Sequence, residues 1–252
     1  MGVCVFLGTL RGFELFSFRG RLHPPTHRRI TPAVGRHNRK LCYLVEVNIV
    51  MTQASDTNHT LYNLPHELRG IRVCLRPYAV GDGVAVQEAI EESRDHLRPW
   101  MAWTDSRSTV QECETYVRQA LARWLTQEDV TVGMWDCSTN RYVGGIWLYY
   151  TDQRVPAMAI GYWVRVSAQG QGYVTEAVTL LCKLAFITFT AQRVSIQCDA
   201  TNTRSANIPR RLGFVHEATL RNQSRNTTGE LTDQLIFALT RDDYYRLQWS
   251  QT

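Results

Sequence analysis

A strand that runs through a glycine-flanked turn straight into a helix, "AMAIGYWVRVSAQGQGYVTEAVTLLCKLAFITF" (residues 157–189), restricts this chain more than any other stretch. Ala157 to Val166 is apolar enough for a buried strand, and Val174, Ala177, Val178, Leu181, Leu184 and Ala185 then recur at helical spacing. Between them, Gly170-Gln171-Gly172 lets the backbone adopt positive φ and approach a bound group closely. A helix begun this way aims several N–H groups at one point and adds the partial positive charge of its N-terminus, so a pyrophosphate is held without lysines. The alternative is a plain strand-to-helix turn with no ligand. Two common phosphate-binding patterns are excluded. Thr175 stands where a dinucleotide-binding fingerprint has its third glycine, and the Gly-Lys-Ser/Thr of a P-loop is missing.

Around this unit the chain reads as strands and helices in a restricted order. "IRVCLRPY" (71–78) alternates and ends at a proline, as a strand does. Val80 to Glu92 and Ser108 to Leu125 have helical spacing, the second opening with Ser108 or Thr109 ahead of Glu112 as a capping signal. "VTVGMWDC" and "YVGGIWLYYT" form a hairpin about "STNR"; "RVSIQCDAT" is a strand, "RSANIPRRLGF" a short helix with a turn at Gly213, and "ELTDQLIFALT" a last strand. This order predicts one α/β domain with a mixed sheet.

The net charge of +5 is unevenly placed. Residues 1–51 hold eight Lys and Arg against Glu14 and Glu46, so the remainder is close to neutral and no nucleic-acid partner is expected for it. The seven cysteines show no C-x-x-C spacing, which suggests neither a zinc site nor a disulfide framework and points to a reducing cytoplasm. No apolar run reaches the roughly 20 residues that span a bilayer, so no membrane association is expected. The first fifty residues lack periodicity. They read either as a disordered or targeting arm or as sequence ahead of a true start at Met51. The expected division is a basic segment over 1–65 and a folded domain over 66–252.

A second block, "CDATNTRSANIPRRLGF" (198–214), sets Asn202, Ser205 and Asn207 at the end of a strand, as one wall of a cofactor site. Together, "IGYWVRVSAQGQGYVTEAV" and "CDATNTRSANIPRRLGFVHEATLRN" resemble the GNAT superfamily of acyl-CoA-dependent N-acyltransferases. Within it they resemble the branch of ribosomal-protein N-terminal acetyltransferases, the RimJ/RimL type. "VCLRPYAVGDGVAV" and "HLRPWMAW" resemble that branch's opening strand and first helical segment, and the likeness covers about residues 70 to 242.

The resemblance implies a single GNAT-like α/β (α+β) domain whose mixed central sheet contains a splayed strand pair flanked by helices, with acetyl-CoA as co-substrate and no metal. Backbone groups of Trp163, Val164 and Arg165 would pair with the pantetheine arm. N–H groups over Gln169, Gly170, Gln171, Gly172, Tyr173, Val174 and Thr175 would hold the pyrophosphate, with Asn202 and Asn207 also on the cofactor. The reaction is attack of an amine on the thioester. A peptide α-amine, pKa about 7.7–8.0, is partly neutral at physiological pH and needs no strong base.

Relatives in the branch carry a Glu in the "E-I-G-Y-W" context, where this chain has Ala159. Asp199 is the substitute candidate for base, against a reading as a strand-end turn residue. Ser205 is the candidate for protonating the leaving thiolate, against a reading as a helix cap. Trp100, Trp103, Tyr149 and Tyr162 are candidates for the acceptor groove, and Glu112 and Glu114 for attracting a cationic acceptor. The expected acceptor is a protein N-terminus; the alternatives are a small amine (drug, polyamine or amino acid) or no acceptor at all, in a non-catalytic acyl-CoA-binding module. The expected assembly is a monomer or homodimer.

Overall fold

A computed structural model describes residues 61–250, so the expectations for residues 1–60 lie outside the described residues. Tyr62 and Leu64, which the sequence places ahead of the domain, pack on its core. Tyr62 lies edge-on to Phe189 at 4.7 Å between centroids, and its backbone exchanges hydrogen bonds with the Gln127 amide at 2.7 and 2.6 Å.

The sheet has eight strands: β1 (Leu68–Arg69), β2 (Val73–Pro77), β3 (Val130–Asp136), β4 (Tyr142–Asp152), β5 (Ala157–Val164), β6 (Arg193–Asp199), β7 (Val215–Arg225) and β8 (Leu231–Thr240). Their spatial order is β1-β2-β3-β4-β5-β6-β8-β7. Every neighbouring pair is antiparallel except β5 and β6. A parallel pair needs a long crossover. Here it is the glycine turn and helix α3 (Tyr173–Lys183), continued by a π-helical turn over Leu184–Thr188 where the sequence predicts one uninterrupted helix to Phe189.

The parallel pairing covers only Ala157–Ala159 against Arg193–Ser195. Beyond it β5 stays on β4 as far as Val164 opposite Gly144, while β6 follows β8 as far as Asp199 opposite Gln234. The sheet is therefore split in its middle, and the expected splayed strand pair is β5 and β6.

Alternation along β5 sends side chains to two different cores. Met158, Ile160, Tyr162 and Val164 join Val174, Ala177, Val178 and Leu181 of α3. Trp163 points the other way, into a second cluster with Val86, Ala89 and Ile90 of α1 (Gly83–Leu97) and Cys113, Val117 and Ala120 of α2 (Val110–Thr126). The capping signal ahead of α2 is a full capping box: Thr109 Oγ1 accepts from Glu112 N–H at 3.2 Å, and Glu112 Oε2 accepts from Thr109 N–H at 2.8 Å. The chain also forms a short helix α4 (Thr203–Arg211), a last helix α5 (Arg241–Arg246) and the edge strand β7; the sequence shows no α5, and of β7 only that a strand follows the Gly213 turn. No helix among the described residues is long and apolar enough to cross a membrane.

The cysteine expectation needs correction. Cys74 on β2 and Cys137 just beyond β3 form a disulfide with Cα atoms 5.4 Å apart. Their separation of 63 residues carries no local signal; the pairing of Cys74 with Trp135, two residues before Cys137, is what brings them together. Cys113, Cys182 and Cys198 are free and buried. Reduction, or Cys137→Ser, is expected to lower unfolding stability by about 2–4 kcal/mol through the loss of a long-loop cross-link. Urea midpoints measured with and without dithiothreitol test this; equal midpoints would exclude the bridge.

Candidate active site

The residues of the glycine turn are organised by α1, about 75 positions earlier in the chain. Glu92 accepts from Ser167 N–H at 3.0 Å and from Arg165 Nε at 2.9 Å, with a further contact to Arg165 Nη2 and one from Arg141 Nη2 at 3.2 Å. Ser93 Oγ accepts from Val166 N–H at 2.9 Å. Burial alone would raise the pKa of Glu92, but the hydrogen bonds from Arg165 and Ser167 outweigh it and hold the carboxyl at about 2. Arg165 is itself buried and also donates to Tyr142 O at 3.1 Å. Two polar residues on one helix thus fix the run-in to the turn from Arg165 to Ser167.

Beyond that run-in the backbone is bare. Gly170 and Gly172 have φ of +72° and +86°, conformations costly for residues with a Cβ. Gly172 is the N-cap of α3, so no side chain caps the helix and its first N–H groups lack intrahelical partners. The one acid in the first turn, Glu176, is directed elsewhere: its carboxylate takes the N–H groups of Ile71 and, at 3.1 Å, of Arg72. Tyr173 is anchored through its hydroxyl to Asp136, whose carboxyl is held well below its ordinary range by hydrogen bonds from Ser138, Tyr173 and Thr139.

This bare helix head opens on a cleft of about 570 Å³. From the expected cofactor set it is lined by Gln169, Gly170, Gly172, Tyr173, Val174, Thr175 and Asn207, with Tyr162 from the expected acceptor set. Arg204, Arg210 and Arg211 also line it, and the sequence reading missed them. Gln171 lies beside it, its amide donating to Ser167 O at 2.9 Å. Trp163, Val164 and Arg165 do not line the cleft; from Ile160 onward β5 has no β6 partner, so these residues lie along the opened edge.

Asn202 is the N-cap of α4: its Oδ1 accepts from Ser205 N–H at 3.2 Å. The cap is therefore Asn202 and not Ser205. Asn202 Nδ2 is buried with no partner among the described residues, and so is Gln169 Nε2. Such groups are rare unless a ligand or water completes them. Ser205 is buried one turn in, its Oγ 3.2 Å from the hydroxyl of Tyr162, which also donates to Ser205 O at 3.2 Å. Tyr162 thus lines the cleft, away from the other aromatic candidates, while Ser205 lies outside the lining and meets the cleft only through its hydrogen bond to Tyr162. Cys198, behind them, has its thiol pushed up to about 11 by burial, so it is no thiolate nucleophile at neutral pH.

Asp199 is buried outside the cleft lining, with Oδ1 taken by Thr201 N–H at 2.8 Å and Thr201 Oγ1 at 2.6 Å, the contacts of a strand-end turn. Trp100, Trp103 and Tyr149 are half-buried. Trp100 and Trp103 pack on the second core, Trp103 edge-on to Trp163 at 5.8 Å and under the Arg107 guanidinium at 4.3 Å. Glu112 is occupied by its capping box, and Glu114 accepts from Gly81 and Gly83 N–H at 3.1 and 3.2 Å, so neither is free to attract a cation. Among the described residues no three His, Cys, Asp or Glu side chains cluster as metal ligands.

Comparison with known proteins agrees with this geometry. The sequence profile described as "Acetyltransferase (GNAT) domain" matches residues 72–215. YdaF of Bacillus subtilis (strain 168), which carries the name of a ribosomal N-acetyltransferase, is 27% identical over 144 residues, 56% of this chain and 76% of its own. Among solved structures, Mycobacterium smegmatis RimJ in complex with CoA-disulfide superposes with a TM-score of 0.63 at 23% identity, over 71% of this chain and 86% of RimJ. The microcin C7 self-immunity acetyltransferase MccE in complex with acetyl-CoA and AMP gives 0.65 at 20%, over 70% and 97%.

The brace at Glu92 makes a pH prediction. Its carboxyl titrates near 2 in the folded chain against 4.5 when free, so the unfolded chain takes the proton first. The stability it contributes is complete above pH 4.5 and is lost as pH falls toward 2. Glu92→Gln is expected to be less stable at neutral pH and to show a shallower loss over that window, measured by urea unfolding across pH 2–7. Parallel profiles would refute the brace.

Proposed function

The chain belongs to the GNAT acetyltransferase family, and on that premise we propose that it transfers the acetyl group of acetyl-CoA to the α-amine of a protein N-terminus. The observation that carries this reading is the coincidence of two gaps: a sheet opened between β5 and β6, and an uncapped, glycine-flanked helix head facing the same cleft.

The residues present fit acetyl-CoA. The N–H groups from Gly170 to Thr175 suit a diphosphate, since they are fixed in place and no carboxylate among the described residues lines the cleft. The unpaired edge of β5 offers backbone donors and acceptors to the amides of a pantetheine arm, as an added strand does. Asn202 Nδ2 is a buried donor still lacking an acceptor. When bound, acetyl-CoA supplies an acetyl group activated as a thioester.

For the transfer, the chain contributes mainly binding and orientation. Tyr162 on the β5 wall and Ser205 on α4 behind it form a coupled hydroxyl pair, able to hold a proton for a departing thiolate through Tyr162. With Asp199 engaged in its turn and Ala159 buried opposite Tyr149, no carboxylate among the described residues lines the cleft to serve as a base. That favours an acceptor already part-neutral at pH 7, such as an α-amine of pKa about 7.7–8.0, over a lysine near 10.4. The name of YdaF supports the same acceptor class.

Release of free thiol from acetyl-CoA by the full chain tests the reading, with peptides bearing Ala, Ser and Met N-termini set against polyamines, amino acids and aminoglycosides. Turnover is expected on the peptides; turnover confined to small amines would overturn the protein-N-terminus acceptor. Gly172→Asp, which sets a carboxylate at the helix head in a strained conformation, is expected to abolish acetyl-CoA binding in calorimetry. Tyr162→Phe and Ser205→Ala are expected to lower kcat about a hundredfold with Kd for acetyl-CoA unchanged. Unchanged kcat in both would remove the hydroxyl pair from the mechanism.

A further inference from the structure

The head of α3 is tied to the β2 side of the sheet by three contacts, and all three end beside the disulfide. Tyr173 donates through its hydroxyl to Asp136, the residue before Cys137. Glu176 accepts from the N–H groups of Ile71 and, at 3.1 Å, of Arg72, which stand just ahead of Cys74. The Arg72 side chain lies against Gly172, its Cδ 3.8 Å from the place a Cβ would take there. Residues 70–74 and 135–137 thus form the platform on which the amide head of α3 rests.

That platform stands where the strand pairing ends. β1 covers β2 only through Leu68 and Arg69, opposite Leu75 and Cys74, and the turn between them is closed by Gly70 N–H to Val73 O at 2.8 Å. On the other side the β2–β3 ladder ends at Val73 opposite Asp136, and beyond it runs a backbone bond from Cys137 N–H to Arg72 O at 2.8 Å. The chain then turns back through Ser138, Thr139 and Asn140, all exposed. The bridge therefore closes the end of a ladder, the part most prone to open locally. No second bridge shares that load among the described residues, where Cys113, Cys182 and Cys198 are free. Cys74 is 4% exposed, whereas Cys137 is half-buried at the exposed turn, so an attacking thiolate approaches from the Cys137 side.

We propose that the Cys74–Cys137 bridge is a redox control on the head of α3: oxidised, it holds Asp136 and the Ile71 and Arg72 amides in place to order that head; reduced, it releases them and weakens acetyl-CoA binding. The proposal rests on the acetyltransferase reading above and adds a regulation to its cofactor site. The reductant is a dithiol. Its first thiolate attacks the Cys137 sulfur and displaces Cys74 as a thiolate, which takes up a proton. Its second thiol then displaces Cys137, so two electrons and two protons reach the protein and the reductant leaves as a disulfide. A ligand that must itself order the groups it binds is held less tightly.

Calorimetric titration of the full chain with acetyl-CoA, oxidised and then in excess dithiothreitol, tests the proposal. The oxidised form is expected to bind roughly tenfold more tightly, and reoxidation is expected to restore that affinity. The double variant Cys74→Ser, Cys137→Ser is expected to bind like the reduced chain with or without dithiothreitol. A response of this variant to dithiothreitol would place the effect at another cysteine and overturn the assignment. Wild-type affinities equal to within about twofold in the two states also overturn it. Binding in neither state overturns the acetyltransferase reading and this proposal with it, an outcome distinct from equal binding. Amide hydrogen exchange of the free chain separates a local control from a general cross-link. On reduction, exchange is expected to quicken most at residues 70–74 and 135–137 and in the first two turns of α3, and less in β6 and β8, which report the global stability alone. A uniform rise across the sheet would leave the bridge a general cross-link and refute its role as a control.

Discussion

Between β5 and β6 the sheet is held together over only Ala157–Ala159 and Arg193–Ser195, and the geometry of the site follows from that short parallel contact. A longer contact would close the sheet and bury the backbone of Ile160 to Val164 in a ladder. A shorter one would leave the two halves of the sheet joined by side chains alone. Each diverging strand keeps its outer neighbour, β4 in one case and β8 in the other, so the split costs the sheet only the bonds along one seam. The unpaired groups along that seam are the kind that buried backbone does not leave unanswered without a ligand or water.

A split sheet would be a loose platform without the brace from α1. Glu92 and Ser93 hold Val166 and Ser167 at the point where the chain leaves β5, and the buried Arg165 guanidinium completes the contact. The N–H groups of the turn are thereby ordered in advance, and a ligand that arrives meets little conformational cost. Asp136 does the same for Tyr173 from the β3 side, in a hairpin already tied to β2 by the Cys74–Cys137 bridge.

The parts legible in the sequence are those with short-range signals. The Thr109–Glu112 box, the β3–β4 hairpin and the glycine turn are each decided by residues within a few positions of one another, and each forms where the residues predict it. The extent of the edge strand β7 beyond the Gly213 turn is illegible because almost all of it is exposed, which removes the alternation that marks a strand. Glu92 reads as one more solvated helix acid, since its partners lie more than 70 residues away. Glu112 and Glu114 fail in the opposite sense: they invite a role toward an acceptor, and backbone amides occupy both. The aromatic character of Tyr162 groups it with Trp100 and Trp103, but the period of β5 turns it to the other face, beside Ser205. The arginines of α4 needed only helical periodicity to be seen as one face; what the sequence does not show is that the face borders the cleft.

Glu176 sits in the first turn of α3, where an acid ordinarily steadies a helix by occupying its own amide head. Had it folded back in that way, the helix would compete with every incoming anion for the same donors, and the free protein would inhibit itself. Its carboxylate instead clasps the backbone of Ile71 and Arg72, leaving the head of α3 open while still placing a negative charge near that end. Gly70 makes the clasp feasible, because a Cβ there would collide with the Glu176 carboxylate. The helix is thus steadied by one set of amides and keeps another for its ligand, so the acid that stabilises the helix is not a rival of what the site binds.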